Sequence, residues 1–204
     1  MEALNPAQRR IHQAALRLFA QKGVSQVSIS DLAQEASVAR GTVYNNVEST
    51  EHLFRQVASQ LSKEMHQRVS KSFADLEDPA ERLANGIRFF IRRTHEEPQW
   101  GMFLSRFAMS DAALREMFYS QATTDLLNGL RLGRYDVRQE QLVTVIALVA
   151  SATLGAMLLV IEGMKTWGEA GSDTAELVLR SLGLTKEDAC RLATSDLPPL
   201  PTLD

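Results

Sequence analysis

Residues 36–50 read ASVARGTVYNNVEST, a stretch dominated by small, hydroxyl and amide side chains around one arginine and one tyrosine. Set on a short helix from about Ala39 to Asn46, Val43 would turn inward with Val38 and Val47 just outside. Arg40, Thr42, Tyr44, Asn45 and Asn46 are then left for the opposite face. That set suits the edges and backbone of duplex DNA. Arginine pairs with phosphate or guanine, asparagine with adenine, hydroxyls donate to phosphates, and a threonine methyl meets thymine. A two-turn helix is too short to persist alone in water and must be held by packing. It is also narrow enough to enter a major groove about 12 Å wide.

Catalytic chemistry finds no comparable constellation. The four histidines, His12, His52, His66 and His95, are scattered, and no Glu-x-x-His pair suits a di-metal site in a helical bundle. No phosphate-cradling glycine loop and no serine elbow is present. Glu96 and Glu97 are adjacent, so on a helix they diverge by about 100° and form a poor acid–base pair. Neither an enzyme, nor a metal site, nor a cofactor is expected.

The elements that must position the polar helix are legible from spacing. No run alternates with the period of a strand, whereas apolar spacings of three and four recur throughout. The fold class is therefore all-α. A first helix starts at Pro6, with Ile11, Ala14, Ala15, Leu18 and Phe19 on one stripe, and ends at Lys22-Gly23. Ser28 caps a second short helix, ISDLAQEA, with Asp31 adding early negative charge. The third is the polar helix, with Ala33 and Ala36 small where the two cross. Ser49 or Thr50 then caps a long fourth helix through Leu53, Val57, Leu61 and Met65 to about Phe73. Further helices are expected at about 80–96, 100–109, 112–132, 138–167, 174–182 and 186–194. The ending SDLPPLPTLD is proline-rich and reads as extended.

Three helices in about 47 residues, the last two short and joined by a tight turn, describe a helix-turn-helix unit. Ala14–Phe54 resembles the tetracycline-repressor (TetR) family of bacterial transcriptional regulators. The likeness runs through Gly23, Ser28-Ile29, Asp31-Leu32-Ala33, Gly41-Thr42-Val43-Tyr44 and Leu53. The resemblance implies an N-terminal helix-turn-helix DNA-binding domain, residues 1–49, and a larger helical bundle, residues 50–204, that dimerises and encloses a small ligand. It implies double-stranded DNA as partner and a DNA-binding set of Ser28, Arg40, Thr42, Tyr44, Asn45, Asn46 and Thr50. Ser37 stands at a turn position where the family commonly has glycine, so a left-handed backbone there carries strain of about 1 kcal/mol. Asn46-Val47 replaces a His-Phe-like pair, and Thr50 stands where a phosphate-contacting lysine is common.

Composition bounds the rest. The chain has 204 residues, 45% of them hydrophobic and 23% charged, with net charge -3. That is a soluble globular composition without an overall basic field, so nucleic-acid affinity must arise locally and from two modules acting together. Cys190 is the only cysteine, which excludes an internal disulfide framework and fits a reducing compartment. The start MEALNPAQRR lacks the pattern of a secretory signal, so a cytoplasmic location is expected.

Residues 141–161, QLVTVIALVASATLGAMLLVI, form an uncharged run of 21 residues, long enough to span a bilayer. Its flanks, Arg138, Glu140, Glu162 and Lys165, show no positive-inside bias. A helix apolar on almost every side can instead face its own core and a second subunit. Homodimerisation through Ser151, Ala152, Gly155, Leu159, Leu177 and Arg180 is the reading taken, with no membrane partner. For a small-molecule effector the candidate lining is Phe90, Trp100, Phe103, Phe107, Met117, Phe118 and Met157, with Arg92, Arg93 and His95 as polar candidates. The rival readings are a helical small-molecule binder that reads no DNA, and a regulator anchored in a membrane through 141–161.

Overall fold

Asn5 opens the first helix with a reciprocal cap. Its side chain accepts from the Gln8 amide at 2.9 Å, and the Gln8 side chain accepts from the Asn5 amide at 3.0 Å. The computed structural model describes residues 5–73 and 76–202. Among them are ten α-helices, two single 3₁₀ turns and no strand. α1 (Pro6–Lys22) buries Ile11, Ala14, Ala15, Leu18 and Phe19, the stripe its sequence spacing defines. A 3₁₀ turn at Val24–Gln26 leads to α2 (Ile29–Glu35), then α3 (Arg40–Asn46) and the long α4 (Thr50–Ser72), capped by Ser49. Val43 is fully buried and Val47 nearly so, and these two residues anchor the short α3.

The turn between α2 and α3 contains the one described non-glycine residue with positive φ, Ser37 at 52°. Its geometry is a complete helix-end motif: Ser37 N–H donates to Gln34 at 3.2 Å, and Val38 N–H donates to Ala33 at 3.0 Å. Val38 packs against the core and offsets part of the strain.

The larger part of the chain is a bundle of α5 (Pro79–Glu96), α6 (Pro98–Phe107), α7 (Ala112–Arg131), α8 (Leu142–Ile161), α9 (Trp167–Ser181) and α10 (Lys186–Thr194). α5 lies at its centre and packs against α6, α7, α8, α9 and α10. Gly171 lets α9 approach closely, since a Cβ there would sit 3.4 Å from Arg88 Cγ.

Two expected boundaries are corrected. The helix expected over 138–167 ends at Ile161, because Gly163 takes φ 69° and Met164 N–H turns back to the Leu159 carbonyl. The following helix begins at Trp167 rather than Thr174: Thr166 and Glu169 form a capping box strong enough to start it despite Gly168 and Gly171. The proline-rich tail has no regular structure through Thr202 but is fastened down. Arg88 donates to the Ser195 carbonyl at 2.7 Å and Arg68 to the Pro201 carbonyl at 2.9 Å, while Leu197 and Leu200 pack on the bundle.

Candidate nucleic-acid interface and ligand cavity

Ser28 and Asp31 fix the start of α2. The serine hydroxyl accepts from the Asp31 amide and donates to the Asp31 carboxylate, 2.7 Å away, which in turn accepts from Lys22. The Ser28 hydrogen bonds, then its backbone amide and Lys22, hold that carboxyl far below the usual range. On α3, Arg40, Tyr44 and Asn45 are exposed, Tyr44 to 68%, and Thr42 is half-buried. Asn46 bends back, donating to the Thr42 carbonyl at 2.7 Å, which leaves one amide hydrogen and the side-chain oxygen for outside contacts. Thr50, half-buried, opens α4. All seven predicted DNA-contacting residues therefore lie on α3 or at the starts of α2 and α4, but the Ser28 and Thr50 hydroxyls and one hydrogen of the Asn46 amide already have partners inside the protein.

Charge on this domain is sparse. Arg17 is paired with Glu35 at 2.6 Å and Lys22 with Asp31 at 2.9 Å, and Glu48 bonds His52 near the end of α3. Arg40 makes no ion pair among the described residues and is the cation placed on the polar helix itself.

The aromatic residues expected to share one cavity divide into two groups. Phe103 and Phe107 of α6 turn toward α4 and meet Phe54, with ring centroids 5.5 and 5.0 Å away, while Phe54 in turn meets Phe19 of α1 at 5.8 Å. They form the joint between the two parts of the chain. Trp100 is buried against Phe90 and under the Arg93 guanidinium, and Met157 is fully buried on α8. None of these four lines the cavity. Phe90, Met117 and Phe118 do.

That cavity holds about 40 Å³ of free space between α4, α5, α7 and α8. Its apolar wall is Met65, Val69, Leu83, Ile87, Phe90, Met117, Phe118 and Val149, with the Phe90 and Phe118 rings 4.5 Å apart. Its polar lining is Arg82, Gln121, Asp125 and Thr153, with exposed His66 on α4. Asp125 is 1% exposed and accepts from Arg82 Nε at 2.7 Å and from Gln121 Nε2 at 3.1 and 3.2 Å. Burial pushes its carboxyl above the usual range, against the pull of Gln121 and Arg82. Sequence reasoning missed this group. The available signal was register: Asp125 follows Leu114, Phe118 and Ala122 on the buried stripe of α7, where an unpaired acid is costly.

The polar candidates on α5 have other tasks. Arg93, 2% exposed, is enclosed by Glu64 at 2.8 Å and Glu97 at 3.0 Å, joined by Arg68. Arg92 pairs with Glu96 beside the Trp167 ring, and His95 is exposed.

A separate apolar face runs along α8 and α9. Gly155 and Leu177, exposed, and Ala152 and Leu159, half-buried, border an open groove with Leu148, Ala156, Thr174, Val178 and Ser181, while Ser151 and Arg180 are exposed outside its lining. A Cβ on Gly155 would meet nothing within 4 Å. The segment Gln139–Ile161 is long and apolar enough to cross a membrane, and 39% of its most apolar stretch is buried.

Comparison with known proteins places both parts of the chain. Residues 11–57 match the model described as bacterial regulatory proteins, tetR family, and residues 78–195 match the tetracyclin repressor-like C-terminal domain. An uncharacterized HTH-type transcriptional regulator of Mycobacterium tuberculosis is 29% identical over 89 residues, and the match spans 44% of this chain and 44% of that protein. Among solved structures, RolR in complex with resorcinol is 25% identical, with 96% of each chain covered and a TM-score of 0.73. The same fold occurs in the fatty acid degradation regulator FadR of Bacillus halodurans, at 16% identity, coverage of 87% and 97%, and TM-score 0.75. It occurs again in an ArpA-like gamma-butyrolactone receptor, at 16% identity, coverage of 92% and 94%, and TM-score 0.69.

Proposed function

The chain belongs to the TetR family of bacterial regulatory proteins, and from that premise we propose that it is a cytoplasmic, ligand-responsive repressor that grips a pseudo-palindromic operator as a homodimer. The observation that carries this reading is α3: a two-turn helix anchored by buried Val43 and Val47 that turns Arg40, Tyr44 and Asn45 to solvent. Residues 1–49 form the reading domain and residues 50–204 the regulatory and dimerisation domain. Arg40, Thr42, Tyr44 and Asn45 contact bases and phosphates, Thr50 contacts phosphate at the head of α4, and Ser28 and Asn46 hold the surface in shape. Two copies of α3 enter successive major grooves, centres roughly 34 Å apart or somewhat more. With so few unpaired cations per reading domain, duplication supplies the affinity that one copy lacks.

Dimerisation uses the α8–α9 face through Ser151, Ala152, Gly155, Leu159, Leu177 and Arg180. A second copy covers the apolar side of α8 that this chain leaves open, with small residues allowing close crossing at a twofold axis. The same argument favours an interface over a membrane span, since the other side of α8 is built into the core with buried Val145, Val149, Ala156 and Met157. The protein acts as a regulator rather than an enzyme.

The effector is a small molecule in the cavity of the larger domain. RolR, bound to resorcinol in its structure, supports a cavity-binding effector here. α4 supplies Met65, His66 and Val69 to the cavity wall and begins at Thr50, just after the reading helix. A ligand that fits only with α4 displaced would bind the operator-incompetent geometry more tightly and shift the population toward it. Selection of bound duplexes from a random pool tests the reading: recovery of an inverted repeat supports it, and recovery of unrelated sequences overturns it.

A further inference from the structure

The cavity carries more chemistry than an apolar hole needs. At one end buried Asp125 pairs with half-buried Arg82, 2.7 Å apart, and their formal charges cancel. Gln121 shares one amide group between both Asp125 oxygens, so Oδ2 retains acceptor capacity. On the α8 wall, Thr153 gives its hydrogen to the Val149 carbonyl at 2.8 Å, and its oxygen is left able to accept. Asp125 Oδ2 and the Thr153 oxygen therefore ask for hydrogen-bond donors, while Arg82, engaged through Nε and Nη1, keeps hydrogens of its own to give. Between them stand the rings of Phe90 and Phe118 and the flexible side chains of Met65 and Met117, surfaces suited to a flat aromatic ring.

Net charge decides which aromatic ligands qualify. An arene carboxylate would gain the spare Arg82 hydrogens but add a net negative charge to a pair already neutral, beside Asp125 oxygens that repel it, at a site that is only partly open to water. An apolar ring without donors would fill the walls but leave Asp125 and Thr153 without a new partner after displacing any water they hold. We propose that the effector is a small, neutral hydroxyarene whose hydroxyl donates to Asp125, with a second hydroxyl, where present, reaching Thr153. Asp125 is thus the specificity-determining residue of the effector site. The proposal rests on the regulatory reading above and extends it to a ligand class.

The free space of about 40 Å³ accommodates a few waters and no ring. Entry of an arene must move the walls, and the methionine contributed by α4 is among the most adaptable of them. Filling the cavity and displacing the helix that leads from the reading domain are then a single event.

The test uses the full chain without DNA, so that its outcome is independent of operator binding. Resorcinol, 1,3-difluorobenzene and benzoate are titrated by calorimetry. The fluorinated ring matches resorcinol closely in shape but lacks its O–H donors. Resorcinol is expected to bind at least tenfold more tightly than 1,3-difluorobenzene, with benzoate weaker still, and Asp125→Asn is expected to remove most of the resorcinol preference. Equal binding of resorcinol and 1,3-difluorobenzene, tighter binding of benzoate, or no binding of any probe would overturn the proposal. Should Asp125→Asn fail to fold, the three-ligand comparison on the unaltered protein decides alone. Ligand preference without operator binding would sink the repressor reading and leave this one standing; operator binding without ligand preference would do the reverse.

Discussion

The Arg106 guanidinium donates to the carbonyl of Gln21 at 3.1 Å, joining α6 of the regulatory bundle to the last turn of α1. The same side chain reaches the Ala20 carbonyl at 3.3 Å and that of Lys22 at 3.4 Å. Carbonyls at a helix C-terminus lack intrahelical donors and carry partial negative charge, so a cation from another helix is a natural cap. Gly23 makes room: its φ is 87°, and a Cβ there would lie 2.9 Å from Arg106 Nη2. Together with Phe54 against Phe103 and Phe107, the contact fixes the reading domain on the bundle.

Replacing Arg106 with methionine keeps the stem and removes the cap. An exposed charge-assisted set of this kind contributes about 1 kcal/mol, so the melting temperature should fall by roughly 2–4 °C in a calorimetric scan. Gly23→Ala should cost more, because it adds positive-φ strain to the displaced guanidinium.

Ser37→Gly should act in the opposite sense. Serine is held at φ 52° in the turn between α2 and α3, a conformation glycine adopts without Cβ strain. A gain of about 0.5–1 kcal/mol is expected in denaturant unfolding, with the midpoint raised and the slope unchanged.

These contacts also mark what the sequence could carry. Helix number and most boundaries follow from spacing and caps, because Pro6, Ser28, Ser49 and Asp111 each sit where local chemistry starts a helix. The left-handed Ser37 is legible only through the family resemblance, which puts glycine at that turn position. The start of α9 is not, because Gly168 and Gly171 look like breakers until the Thr166–Glu169 box and the close approach to Arg88 are seen. Nor is the division of labour on α6. A stripe holding Trp100, Phe103 and Phe107 announces burial but not which neighbour it meets, and here the neighbours are α1, α4 and α5 rather than the cavity. The Arg82–Asp125 pair joins residues 43 positions apart, which only tertiary packing brings together.

Gly155→Glu separates assembly from folding. Apart from the backbone of its own helix and its chain neighbours, no described residue lies within 4 Å of a Cβ at this position, and glutamate is the better helix former, so the protomer should fold at least as well. Buried against a second copy, the charge is unpaired. Light scattering should show monomers or aggregates in place of the dimer; an intact dimer would contradict the assigned interface.

Acid unfolding should report on Arg134, which pairs with Asp78 at 3.0 Å and Asp188 at 2.6 Å. Its hydrogen bond holds the Asp188 carboxyl below the usual range, opposed by slight burial and helped by Arg191. A carboxyl depressed on folding adds stability above its unfolded pKa, about 3.9, and loses it as pH falls through the folded value. Arg134→Met should therefore cost about 1 kcal/mol at pH 7, and the deficit against the parent should shrink as pH drops below 4. A deficit independent of pH would assign the effect to packing instead.

The polar face of α3 is tested most directly by titrating the selected operator with the parent and with the double variant Thr42→Ala, Tyr44→Ala in a gel shift. Tyr44 is 68% exposed and Thr42 half-buried, so the variant should keep its melting temperature and its dimer. The predicted result is operator affinity lowered at least tenfold, with dimerisation unchanged. Equal binding by variant and parent would contradict the account.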